Sequence, residues 1–268
     1  MTLSTLFSQL RSDIPYNLHS HTQFCDGHAP MEDFAKAAAE AGFSHYAFTP
    51  HSPVPIESPC NMKFSDVPAF LLEVERLRGI YGDRVQLLSG MEVDYLSDNW
   101  GPANEYFASL GLDVIIGSVH FIPSQDGELI DIDGSFQRFS RNMEQHFRND
   151  IRYVVDKFYD QSMALIEAGG FDILGHFDKI GHNASLYRTG IENEPWYAAR
   201  VAKLIDLITD AGVVVEINTK AYNDHGRFFP SRRYWPELKR RGVRMVVNSD
   251  AHYPHLIDAS RTTALTLL

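Results

Sequence analysis

Seven short β-type runs along this 268-residue chain close on residues that bind metal ions: His19 with His21, His51, Glu92, His120, His176, Glu216 with Asn218, and Asp250 with His252. The His-Ser-His of the first run is the sharpest of these signals. Side chains at i and i+2 of a strand point the same way, so His19 and His21 can place two imidazoles on one ion. A lone histidine is more often a hydrogen-bonded core residue or an exposed one, but recurrence at run after run shifts the balance toward a shared site. Mixed imidazole and carboxylate donors suit Zn²⁺, Fe²⁺ or Mn²⁺ better than the all-oxygen preference of Ca²⁺ and Mg²⁺. Paired ions of this kind lower the pKa of a bound water and neutralise charge on the attacked and leaving oxygens, which is hydrolytic chemistry.

The elements that must position these residues alternate regularly. Strands are expected at Tyr16 to His19, Tyr46 to Thr49, Val85 to Gly90, Val114 to Ser118, Phe171 to Gly175, Val213 to Asn218 and Arg244 to Asn248. Most are continuous apolar runs, the pattern of parallel strands covered on both faces. Helical patterns run from Met31 to Ala41, Val67 to Ile80, Pro102 to Leu110, Met143 to Ala168 and Pro195 to Ala211, and Gly42, Gly82, Gly111, Gly169 and Gly212 sit just past their ends, as C′ glycines do. This α/β alternation predicts a closed or nearly closed parallel barrel spanning residues 1–268 as one domain, with a doubly wound open sheet as the second choice. The barrel is preferred because the ligands come from nearly every strand; its βα loops gather at one rim, whereas in an open sheet they would cluster at one switch point. Two connections are long: Pro50 to Pro68, stiffened by five prolines, and Phe121 to Arg141. Both are placed at the rim as walls of a pocket.

Composition narrows the partners. Twenty-four Lys and Arg against 35 Asp and Glu give a net charge of −11, which repels nucleic-acid backbones and anionic membrane surfaces. No run of about 20 apolar residues suggests a membrane span. The opening stretch Met1 to Pro15 lacks the apolar core of a signal peptide, and the two cysteines, Cys25 and Cys60, form no Cys-x-x-Cys. A cytoplasmic protein is expected, with no nucleic-acid or membrane partner; the sequence sets no oligomeric state.

The ordered elements HSHTQFCDGHA, TPHSP, GMEVDY, GSVHF, LGHFD, EINTK and NSDAH resemble the polymerase-and-histidinol-phosphatase (PHP) superfamily over nearly the whole chain, and within it the stand-alone histidinol-phosphatase branch. The resemblance implies a distorted seven-stranded β/α barrel of TIM-like type holding two or three divalent transition metal ions. It implies that His19, His21 and Asp250 hold one ion, that Glu92 bridges to a second held by His120 and His176, and that His51 and His252 hold a third with a residue of the first loop. Asp26 and His28 compete for that last position, and Asp26 is preferred because it precedes Gly27 as in Asp-bearing members. Glu92 and Asp250 are the ligands expected to matter most for catalysis.

The resemblance also implies a phosphomonoesterase, with L-histidinol phosphate the best single substrate and histidine biosynthesis the setting. A small phosphorylated metabolite is the expected partner, since its dianion balances the surplus positive charge of such a site. Lys220 and, in the next loop, Arg227 are candidates to hold its phosphate, with Lys63, Lys179, Arg188, Arg232 and Arg233 behind them. An ammonium on the substrate would want a carboxylate, for which Asp94, Asp131, Asp133 and Asp178 are available. Glu216 is expected to orient a ligand histidine. The alternative is a PHP-type phosphodiesterase or nuclease, or a phosphatase acting on another small ester.

Overall fold

The computed structural model describes residues 3–11 and 13–268. Its strands are β1 (Tyr16–Asn17), β2 (His45–Phe48), β3 (Gln86–Asp94), β4 (Val114–Ser118), β5 (Phe121–Pro123), β6 (Leu129–Asp131), β7 (Ile173–Leu174), β8 (Val214–Asn218) and β9 (Met245–Asn248). Seven of them form one parallel sheet in the order β1-β2-β3-β4-β7-β8-β9, and β5 pairs antiparallel with β6 in a separate hairpin. The helices are α1 (Leu3–Gln9), α2 (Met31–Glu40), α3 (Val67–Tyr81), α4 (Glu105–Ser109), α5 (Phe136–His146), α6 (Ile151–Ala168), α7 (Ile180–Tyr187), α8 (Pro195–Ala211), α9 (Tyr222–His225), α10 (Trp235–Arg240) and α11 (Arg261–Leu267).

The sheet curls into a distorted barrel whose seam is sewn by side chains. No ladder joins β1 to β9; instead Ser20 and Ala251 form a single parallel bridge. Beside it the Leu18 N–H donates to Asn248 Oδ1 at 2.9 Å, and the Ser249 N–H donates to Asn17 Oδ1 at 2.9 Å. Two buried amides thus satisfy backbone groups that a regular ladder would have paired, so the barrel closes while leaving the first strand only two residues long.

Strand alternation then divides core from site. On β3, Leu87, Met91 and Val93 pack outward in one apolar cluster, and Leu88 lies in the barrel interior with Tyr16, Leu18, Ala47, Ile116, Ile173 and Val246. Counting on by twos from Leu88 leads through Gly90 to Glu92 and Asp94, so the strand that builds the floor carries two carboxylates up the same interior face. The wall leaves no room at Gly90: a Cβ there would lie 2.6 Å from the Val114 carbonyl oxygen. On β8 Val214 packs toward the interior cluster while Val215 and Ile217 pack outside, which sends Glu216 and Asn218 inward. Leu6 of α1 joins the interior cluster from below and plugs the end opposite the ligand-bearing rim.

Several elements differ from expectation. The third strand continues past Gly90 to Asp94 because Met91 and Val93 still find buried apolar partners. The segment Phe121 to Arg141, expected as loop, contains the β5–β6 hairpin and the start of α5, pinned by the buried side chains of Ile122, Ile130 and Phe139. The helix expected over Met143 to Ala168 is two helices. Arg148 and Asn149 adopt left-handed backbone, with φ of 50° and 59°, and Asp150 caps the restart by accepting from the Tyr153 N–H. The sequence pattern gives no sign of α1, α7, α9, α10 and α11, which are short and interrupted by polar residues or glycine.

Candidate metal centre

The rim collects the nine expected ligands, with Glu92 at the centre. Its Oε2 lies 3.3 Å from His19 Nε2, 3.5 Å from His21 Nε2 and 3.1 Å from His51 Nδ1. Its Oε1 lies 2.8 Å from His176 Nε2 and 3.5 Å from His120 Nε2. One carboxylate therefore faces two groups of imidazoles with its two oxygens, and Ser118 Oγ adds a hydrogen bond to Oε1 at 2.7 Å. On the Oε2 side, Asp250 Oδ1 sits 3.0 Å from His21 Nε2 and 3.9 Å from His19 Nε2. Asp26 occupies a third corner, with Oδ1 3.3 Å from His21 Nδ1 and Oδ2 3.5 Å from His252 Nε2 and 3.8 Å from His51 Nε2. His28 is exposed instead and stacks on Tyr253 with ring centroids 4.5 Å apart.

Hydrogen bonding fixes which nitrogen three of the histidines offer. A carboxylate or a carbonyl can only accept, so an imidazole nitrogen against one carries the proton and its other nitrogen presents a lone pair. His19 Nδ1 is 2.7 Å from Glu216 Oε1, His120 Nδ1 is 2.8 Å from Asp94 Oδ1, and His252 Nδ1 is 3.0 Å from the Asp250 carbonyl. In all three, Nε2 is the atom turned toward the cluster. Glu216 is saturated: Oε1 also accepts from Asn248, and Oε2 accepts from the His176 N–H and Asn218 Nδ2. Asn218 donates as well to Asp250 Oδ2 at 3.0 Å, and Asp250 stands at φ 49°, a left-handed conformation that Asp tolerates better than most residues.

This donor set fits bound cations. His51 Nδ1, His120 Nε2 and Asp26 Oδ1 are buried without a hydrogen-bond partner, all three aimed into the cluster. Orphaned buried polar atoms are costly, and three at one spot point to a missing electropositive partner. Four overlapping sets have ligand atoms within 4.8 Å of one another: His21-Asp26-His51-His252, His19-His176-Asp250, His19-His21-Glu92 and His51-Glu92-His120. Burial alone would push the Glu92 and Asp250 carboxyls up, yet the neighbouring imidazoles, joined by Lys220 at Asp250, outweigh it and hold both well below the usual range.

Beside the cluster lies a cavity of about 220 Å³ whose lining includes Asp26, His51, His120, His252, Cys60, Asn61, Asp94, Asp131, Asp133, Arg138 and Lys220. Lys220 reaches in, its Nζ 3.1 Å from His252 Nε2 and 3.5 Å from Asp250 Oδ1. Arg227, the other residue expected to hold phosphate, is not brought to the cluster. Its guanidinium is tied to Glu192 at 2.7 Å and Asp178 at 3.2 Å and lies so close over Gly181 that a Cβ there would come within 2.5 Å of Nη2. Sequence reasoning passed over Arg138 and Asn61. Neither sits at a strand end, and only the two long rim connections bring them in.

A model of the PHP domain matches residues 17–220, three quarters of the chain. The chain belongs to the PHP domain family. Among PHP-like proteins it is 26% identical over 249 residues to a probable histidinol-phosphatase of Deinococcus radiodurans, covering 88% of this chain and 85% of that one. The fold matches a candidate histidinol phosphatase of Listeria monocytogenes with a TM-score of 0.82 at 19% identity, over 93% of this chain and 99% of the other. It also matches a histidinol phosphate phosphatase of Lactococcus lactis, solved with zinc, L-histidinol and phosphate, with a TM-score of 0.67 at 19% identity over 94% and 91% of the two chains. These likenesses show a TIM-like PHP barrel, the architecture that the seven-stranded parallel sheet displays. Among the described residues no helix is long and apolar enough to cross a membrane.

Proposed function

We propose that the chain, acting as one unit over residues 1–268, is a metal-dependent phosphomonoesterase that hydrolyses L-histidinol phosphate to L-histidinol and phosphate. The observation that carries this reading is the convergence of six imidazoles and three carboxylates, with Glu92 at the centre, next to a small cavity into which Lys220 reaches. The names and the zinc, histidinol and phosphate of the relatives point the same way.

In this reading His19, His21 and Asp250 would hold one ion and His120 and His176 a second, Glu92 would serve both, and Asp26, His51 and His252 would hold a third. Zn²⁺, Fe²⁺ and Mn²⁺ all match the donor set. When bound, such ions supply a hydroxide at neutral pH and neutralise charge on the phosphoryl oxygens. The protein's part is to keep the donors fixed. Glu216 and Asp94 lock His19 and His120 in one tautomer, the Asn218 amide steadies Asp250, and the Lys220 ammonium takes a non-bridging phosphate oxygen. The cluster is largely buried, so few waters compete with the one that attacks. Both cysteines are free, and a cytoplasmic setting completes this reading.

The test is phosphate release from a panel of monoesters, diesters and amides by metal-loaded protein. L-Histidinol phosphate should have the highest kcat/KM, and Glu92→Gln should abolish turnover while lowering bound metal. A diester or single-stranded DNA cleaved with a higher kcat/KM than every monoester would replace the phosphatase reading with a PHP phosphodiesterase.

A further inference from the structure

The cavity at the metal cluster adjoins a second chamber of about 240 Å³, and the two share Asp133, Gly134 and Lys220. Each alone is below the roughly 300 Å³ at which ligand pockets usually begin, so a small monoester with its phosphate in the first chamber must extend its alcohol portion through the shared neck. The neck is charged on both sides. Lys220 stands on one side; Asp133 faces it from the turn between β6 and α5, with 32% of its side chain exposed. Three other acids near the rim are spent. Asp94 is buried under His120 and Asn61, and both oxygens of Asp131 are taken, one by the Asp133 N–H and one by Arg138. Asp178 is buried against Arg227 and the Ser231 N–H. Asp133 alone keeps an open approach to both chambers, with Lys179 held against its Oδ2 at 2.7 Å.

Beyond the neck the chamber is lined by His182 and His225, whose rings lie 4.6 Å apart at a tilt of 43°, and by the Asp224 carboxylate. Burial lowers the His182 pKa, and His225 and Arg227 lower it further, so this imidazole is neutral near pH 7 and repels no cation. A carboxylate at the neck leading to a pair of planar rings is complementary to an alcohol that carries an ammonium close to the ester and a flat ring farther out.

We infer that Asp133 is a specificity-determining residue that binds the ammonium of a zwitterionic phosphomonoester, with the His182–His225 pair receiving its ring. This inference rests on the phosphatase reading and deepens it, assigning the leaving-group side that the metal ligands leave open. Lys179 steadies the carboxylate and leaves one oxygen for the substrate.

A double-mutant cycle on enzyme and substrate tests it. The kcat/KM of wild type and Asp133→Asn is measured for L-histidinol phosphate and for its analogue lacking the amino group. In wild type the amino group should raise kcat/KM roughly 10–100-fold, the range for a charge-assisted hydrogen bond, and in Asp133→Asn that preference should fall to near one. Asp133→Glu, which keeps the charge, should restore part of it. Because Asp133→Asn also unpairs Lys179, binding of L-histidinol to the metal-loaded protein is titrated separately, and its affinity should drop by a similar factor. A preference that survives Asp133→Asn, or an equal fall for both substrates, overturns the inference while leaving the phosphatase reading in place. Failure of wild type to hydrolyse either monoester defeats the phosphatase reading itself, and unchanged L-histidinol binding in Asp133→Asn then defeats the subsite as well.

Discussion

Glu216 Oε1 lies 2.7 Å from His19 Nδ1 at the centre of the barrel, and both side chains are fully buried. Four donors converge on this one carboxylate. Glu216→Gln would turn an amide NH₂ toward two of them, leaving buried donors face to face. Metal affinity is expected to fall about 10–100-fold, the usual effect of disturbing a group that orients a ligand histidine. Competition with a chelator of known affinity measures it, and an affinity within twofold of wild type would show that His19 needs no such support.

The third corner of the cluster distinguishes two neighbours on the first loop. Asp26 faces His21, His51 and His252, whereas His28 stacks on Tyr253 at the surface. Asp26→Ala is expected to cost about one ion per chain and to slow turnover, and His28→Ala to leave metal content as it was. Elemental analysis after gentle purification decides the matter, and the reverse pattern would move the ligand to His28.

Lys220 is the cation nearest to Asp250 and His252 on the cavity side. Lys220→Ala should lower kcat/KM for a monoester about 10–100-fold, the worth of a charge-assisted hydrogen bond. Most of the loss is expected in KM if the ammonium holds the phosphate equally in ground and transition states. A loss confined to kcat would instead place Lys220 against charge that develops only during the reaction.

Far from the site, Asp172 precedes β7 and accepts the Ile115 N–H at 2.7 Å. Burial raises its carboxyl from 3.8 to about 6, against the opposing pull of that hydrogen bond. A raised folded-state pKa means that the folded chain binds the proton more tightly than the unfolded one. Its contribution is therefore favourable below about pH 4 and is lost as pH rises toward 6. Asp172→Asn keeps an acceptor for Ile115 without the buried charge. It should stabilise the protein at pH 7 by on the order of 1–3 kcal/mol and flatten the change in stability between pH 4 and 6. Urea unfolding at pH 4.5 and 7 tests this; equal destabilisation at both would sink it.

The sequence by itself determined which residues meet at the rim. Strand-ending histidines and carboxylates recur at the period of a βα barrel, and a parallel barrel has one rim at which βα loops can meet, so His19, His51, Glu92, His120, His176 and Asp250 were legible before any contact was seen. Glu216 was legible too, because alternation on its strand aims it inward with Asn218. Tertiary structure decided the partners of that set, through contacts between residues distant in sequence. Asp26 rather than His28 turns inward, yet both are polar, two apart on one loop, and nothing local separates them. Arg227 and Lys220 are both basic residues after β8, and only the approach of Asp178 and Glu192, from the connections before and after α7, takes Arg227 out of the site. The seam at Asn17 and Asn248 and the neck at Asp133 belong to the same class. A local pattern records which way a side chain points, but a hydrogen bond or ion pair forms only where the fold brings its second member.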